Sequence, residues 1–131
     1  MSSDTGARAV GVLIVDDHAA FREAARAVLE AMPGFIAVGE AASGEEALAI
    51  APLIFPDLIL LDLTLPGIDG FETCARLRDV VPGAFVVFIS ANEDADLTRA
   101  FGSCTRTPFL PKRQMLPDTV RALWEGRLRA A

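Results

Sequence analysis

Short, uninterrupted apolar runs recur along this chain, Val12-Leu13-Ile14-Val15, Leu58-Ile59-Leu60-Leu61 and Phe85-Val86-Val87-Phe88-Ile89, with helix-spaced segments between them. A strand that is apolar on both faces must be covered on both faces, and a parallel sheet with crossover helices on either side does this. Two weaker runs, Phe35 to Gly39 and Phe109-Leu110-Pro111, complete a set of five strands. The stripe Phe21, Ala24, Ala25, Val28, Leu29 and Met32 predicts the first helix, stopped by Pro33-Gly34. Ser43-Gly44-Glu45-Glu46 reads as a capping box for a second helix with Ala47, Ile50, Ala51 and Ile54 inward. Asp69 caps a third helix carrying Phe71, Cys74, Leu77 and Val81. A fourth places Leu97, Ala100, Phe101 and Cys104 inward, and the last buries Val120, Leu123, Trp124 and Leu128. Right-handed crossovers then favour an α/β, flavodoxin-like (βα)5 doubly wound sandwich, its five-stranded parallel sheet in the order 2-1-3-4-5.

A chain of 131 residues suits one domain. Residues 1–9 are small and polar and read as a disordered lead-in to a domain over 10–131. At 52% hydrophobic and 23% charged residues the composition is that of a folded protein. The net charge of −6, with no Lys/Arg cluster, argues against direct nucleic-acid binding. No signal-peptide pattern and no apolar stretch of about 18 residues is present, so a cytoplasmic protein without membrane contact is expected. Cys74 and Cys104 form no metal pattern with the lone His18 and are read as free thiols.

Parallel strands share one direction, so the residues at their carboxyl ends gather along one edge, where open α/β sheets bind ligands. Asp16 and Asp17 follow the first strand, Asp62 the third, Ser90 the fourth and Lys112 the fifth. Converging carboxylates repel one another and are costly to bury, so a cation is expected among them. Oxygen-only donors at a phosphate-handling site point to Mg²⁺. With the metal on one phosphoryl oxygen, Lys112 on another and the Ser90 hydroxyl on the third, Asp62 is left as the nucleophile that forms an acyl phosphate. Taken singly, Asp17 is also a helix cap, Ser90 opens a second capping box with Glu93, Lys112 is an ordinary surface lysine and Phe109 a core residue. Only Asp62, a carboxylate ending an apolar run, stands out alone; the joint spacing lifts the others. His18, Phe101 and Trp124 are assigned no chemistry.

From about Val10 to Leu128 the constellation resembles the response-regulator receiver domain of two-component signalling. An acidic pair after strand one, an aspartate after strand three, Ser or Thr after strand four and Lys after strand five form that signature, matched here by Asp16-Asp17, Asp62, Ser90 and Lys112. The segments Leu13 to His18, Leu61 to Gly70 and Phe109 to Lys112 are similar to receivers that usually precede a helix-turn-helix output domain. The resemblance implies Asp62 as phosphoacceptor, with Asp17, Asp62 and the main-chain carbonyl of Thr64 ligating Mg²⁺ and Asp16 acting mostly through water. It implies a sensor histidine kinase or phosphotransfer protein as donor, and Ser90 and Phe109 as switch residues. It further implies a downstream protein or output domain as reader, and dimerisation that depends on phosphorylation. The chain is then no enzyme beyond its own phosphorylation and dephosphorylation. Two positions depart from the pattern: Arg113 follows Lys112 where many receivers have proline, and Pro108 precedes Phe109 where a small residue is common.

Two rivals remain at this level. A haloacid-dehalogenase-type phosphatase also uses an aspartyl phosphate, but its Asp-x-Asp nucleophile motif is not completed at Asp62, which is followed by Leu63-Thr64 with no acid/base carboxylate two residues on. A receiver-like interaction module that acts without phosphorylation would retain the same fold.

Overall fold

A computed structural model of the chain describes residues 8–91 and 107–128. Their elements run β1 (Val10–Val15), α1 (Ala19–Glu30), β2 (Phe35–Ala41), α2 (Gly44–Ile54), β3 (Leu58–Asp62), α3 (Gly70–Val80), β4 (Phe85–Ser90), β5 (Phe109–Pro111) and α4 (Pro117–Gly126). The five strands form one sheet in the order β2-β1-β3-β4-β5, with every pairing parallel. The expected flavodoxin-like topology is the observed one. The helix expected to carry Leu97, Ala100, Phe101 and Cys104 lies outside the described residues.

The apolar runs divide by parity, as strand geometry requires. Leu13, Val15, Ile59, Leu61, Val86 and Phe88 face one side and pack with Ala47, Ala51, Cys74 and Leu77 of α2 and α3. Val12, Ile14, Leu58, Leu60, Val87, Ile89 and Leu110 face the other and meet Ala25, Leu29 and Val120 of α1 and α4. Trp124 sets its ring edge-on to Phe35 and Phe85, at 6.5 and 6.3 Å between centroids, which seats α4 on that second core.

The caps expected at Ser43 and Asp69 form, whereas Asp17 does not cap α1, whose N-cap is His18 with no side-chain cap hydrogen bond. The Ser43 hydroxyl accepts from the Glu46 amide at 3.1 Å, and Asp69 Oδ1 accepts from the Glu72 amide at 2.9 Å, satisfying amides that a helix start leaves unpaired. Two helix-stripe assignments are corrected. Ala24 is exposed, because the inward arc of α1 is narrower than the sequence stripe. Leu128 is 73% exposed, since α4 ends at Gly126 before its stripe can continue. Strands β3 and β4 also run one residue further than their apolar runs, taking in Asp62 and Ser90.

Glu40 on β2 accepts from Arg22 Nε at 3.0 Å and from Arg26 Nε at 2.8 Å, tying α1 to the sheet. The Arg26 hydrogen bond, with Arg22 beside it, holds the Glu40 carboxyl below its ordinary range against a smaller effect of burial. A lowered acid stabilises the fold fully above the ordinary glutamate range of about 4–5, and that contribution is lost as pH falls through the folded-state value. Glu40→Gln is therefore expected to cost about 1 kcal/mol at neutral pH, and less as the medium is acidified. Paired thermal melts across pH check this; a difference that grows on acidification would contradict it.

Candidate functional site

Register brings the acidic residues together. Val15 pairs with Leu61 across β1 and β3, so the residues that follow, Asp16 and Asp62, emerge side by side at the carboxyl edge. Ser90 pairs with Pro111 across β4 and β5, which carries Ser90 to the same edge and Lys112 one residue beyond it. Asp16, Asp62 and Ser90 are buried, whereas Asp17 and Thr64 are exposed.

Lys112 binds the two buried carboxylates to each other. Its Nζ lies 2.5 Å from Asp16 Oδ2 and 3.4 Å from Asp62 Oδ2. Asp16 Oδ2 is paired with the Lys112 ammonium and has no further partner among the described residues. Asp16 Oδ1 accepts from the His18 amide at 2.7 Å, and Asp62 Oδ1 accepts from the Thr64 amide at 3.0 Å and its hydroxyl at 3.2 Å. Burial pushes the Asp62 carboxyl up, reinforced by the Asp16 charge and offset only in part by the Thr64 amide and Lys112. Burial works to lower the Lys112 amine, but the neighbouring carboxylates override it and the amine is raised. Lys112 is thus held charged.

Donor atoms of Asp16, Asp17, His18 and Asp62 all lie within 4.8 Å of one another. A small divalent ion about 2.1 Å from each donor holds opposite ligands about 4.2 Å apart, so shifts of roughly half an ångström would close this set. The buried Asp16 and Asp62 carboxylates and the exposed Asp17 carboxylate, all oxygen donors, fit such an ion. His18, read as a residue without chemistry, is exposed at the start of α1, with its Nδ1 3.0 Å from Asp16 Oδ1 and 3.2 Å from Asp17 Oδ1. The extended backbone at the start of α1 turns its ring toward that pair. Phe109 on β5 is partly buried against the core shared with α2 and α3, beside Phe88 in register. Of the capping box proposed for Ser90, Asn92 and Glu93 lie outside the described residues.

A family model described as the response regulator receiver domain matches residues 12–123. This chain belongs to that family. Among curated relatives of the receiver, the nitrate/nitrite response regulator protein NarL of Escherichia coli K12 is 39% identical over 90 residues, which is 68% of this chain and 42% of NarL. A protein-glutamate methylesterase/protein-glutamine glutaminase of Syntrophus aciditrophicus is 37% identical over 70% of this chain and 26% of its own. The receiver therefore spans less than half the length of either relative. Among solved structures, the signal receiver domain of the putative response regulator NarL from Mycobacterium tuberculosis matches with a TM-score of 0.74 at 28% identity, covering 88% of this chain and 96% of that one. The chain is a receiver domain of two-component signalling. No helix among the described residues is long and apolar enough to cross a membrane.

Proposed function

We propose that this receiver is a phosphorylation-dependent switch whose phosphoacceptor is Asp62. The observation that carries the reading is a buried carboxylate at the end of β3 facing a charged lysine and a second buried carboxylate, an arrangement too costly to keep for packing alone. An Asp62 carboxylate oxygen forms a bond to phosphorus while the bond from phosphorus to the nitrogen of a donor phosphohistidine breaks. The electron pair leaves with that nitrogen, which takes up a proton. Lys112 is placed to pair with one phosphoryl oxygen, and the Ser90 hydroxyl to donate to another, each compensating charge that spreads over the transferring group.

Asp17, Asp62 and the main-chain carbonyl of Thr64 would hold Mg²⁺, with Asp16 acting mostly through water, and the ion would supply further neutralisation of the phosphoryl oxygens. When Ser90 moves to the phosphoryl group, the Phe109 ring turns inward behind it, and the surface around β5 and α4 changes shape. The donor is a sensor histidine kinase or phosphotransfer protein. The reader is a downstream protein, a second copy of the receiver or an output domain of the kind its longer relatives carry.

Incubation with acetyl phosphate and Mg²⁺, followed by intact mass, is expected to give a single phosphoryl adduct. Chelating the Mg²⁺ should cut the rate of adduct formation more than about tenfold. A folded chain that gains no adduct beside a positive control would overturn the reading in favour of an interaction module that works unmodified.

A further inference from the structure

We infer that Phe21 is a positioning residue for Lys112, its ring face holding the lysine ammonium at the carboxylate pair. Lys112 Nζ lies over the Phe21 ring, 4.7 Å from the centroid, well inside the roughly 6 Å over which a ring quadrupole attracts a cation. The lysine needs such a support. It follows a strand of only three residues and opens a single turn of 3-10 helix, and its four-carbon stem is flexible. Yet its side chain is only 14% exposed and reaches both Asp16 and Asp62.

The ring is itself well anchored. Phe21 sits in the first turn of α1, where its amide donates to the His18 carbonyl at 3.1 Å, and it packs against the core cluster that holds Leu29 and Val120. Its neighbour Arg22 donates to the Asp16 carbonyl at 2.6 Å and to Glu40, so this turn is pinned both to the acidic loop and to β2. Of the three described groups that contact the ammonium, two are carboxylates whose charge would be shared with a divalent ion, and one of them would be esterified on phosphorylation. The ring keeps its attraction throughout. An ammonium that stays in place while its anionic partners change is already where a transferring phosphoryl oxygen will need it.

This inference rests on Asp62 as phosphoacceptor, and its test separates the two. In wild type, the Lys112 ε-methylene protons should resonate upfield of the ordinary lysine position because they lie in the shielding zone of the ring. That shift should vanish in Phe21→Leu and persist in Phe21→Tyr. With acetyl phosphate and Mg²⁺, Phe21→Leu should be phosphorylated about five- to tenfold more slowly than wild type, with Mg²⁺ affinity unchanged, and Phe21→Tyr should stay within about twofold. Leu and Tyr variants that are slowed equally would mean that Phe21 serves only packing. An unshifted lysine in wild type, or a folded Phe21→Leu protein at wild-type rate, would overturn the inference outright. If wild type itself takes up no phosphoryl group, the phosphoacceptor reading fails, and the lysine shift still decides whether Phe21 places Lys112.

Discussion

Asp62→Asn is expected to take up no phosphoryl group and to melt at a higher temperature than wild type. The carboxamide offers no anionic nucleophile, so adduct formation should fall by at least about a thousandfold, equivalent to about 4 kcal/mol of barrier. The stability gain follows from the surroundings of the side chain. Burial and the Asp16 charge push the Asp62 carboxyl up, so its ionised form is less favourable in the folded chain than in the unfolded one. For a raised acid, the destabilisation is present at neutral pH and is relieved as pH falls through the folded-state value. Asparagine removes that charge at every pH, while Lys112 retains Asp16, the closer of its two carboxylates. A few degrees are expected in the melting temperature, and the gap should narrow on acidification. Intact mass and paired melts read both effects. An adduct on the asparagine protein would show that Asp62 is not the nucleophile, and a fall in melting temperature that it is not a strained charge.

Gly70→Ala is expected to destabilise the fold by about 3 kcal/mol or more and to displace the phosphoacceptor loop. A Cβ at Gly70 would lie 2.5 Å from the Asp62 carbonyl oxygen and 2.7 Å from Leu63 Cα. Both are backbone atoms at the end of β3, and no rotamer change can move them aside. The Gly70 amide also donates to the Leu63 carbonyl at 3.0 Å, so the first turn of α3 is stitched to the residue that follows Asp62. Separating the two segments to admit a methyl group would stretch that bond and move Asp62 relative to Lys112. Urea denaturation should show the loss as a lower midpoint at an unchanged slope, and residual phosphorylation should fall with it. A midpoint within about 0.5 kcal/mol of wild type would mean that the α3 start is free to shift.

Gly70 also marks where sequence reading stops. Beside Asp69 it reads as an ordinary helix opening, and nothing in the neighbouring residues indicates that the main chain of β3 passes within contact distance. Leu128 shows the same limit from the other side. It continues the spacing of Val120 and Trp124, yet it lies beyond the end of α4 and is exposed, because helical spacing describes a face only while the helix persists.

The central strands β1, β3 and β4 were legible because each is apolar on both faces, a demand that chain-local residues satisfy or fail by themselves, whereas β2 and β5 at the sheet edges gave weaker runs. Five strands joined by helix-spaced segments leave few right-handed topologies, and the polar residues that follow β1, β3, β4 and β5 fall at the carboxyl edge. In that way Asp16, Asp62, Ser90 and Lys112 could be assigned to one site before any distance was known. Which of them touch was decided by the register of β1 against β3 and of β4 against β5, a property of paired strands that neither strand contains alone. The turn of His18 toward the acidic pair, the ring of Phe21 beneath the Lys112 ammonium and the closeness of Gly70 to β3 likewise required the packed molecule. Each is a contact set by three-dimensional packing, and the periodicity that reveals a strand or a helix carries no information about what another segment will bring against it.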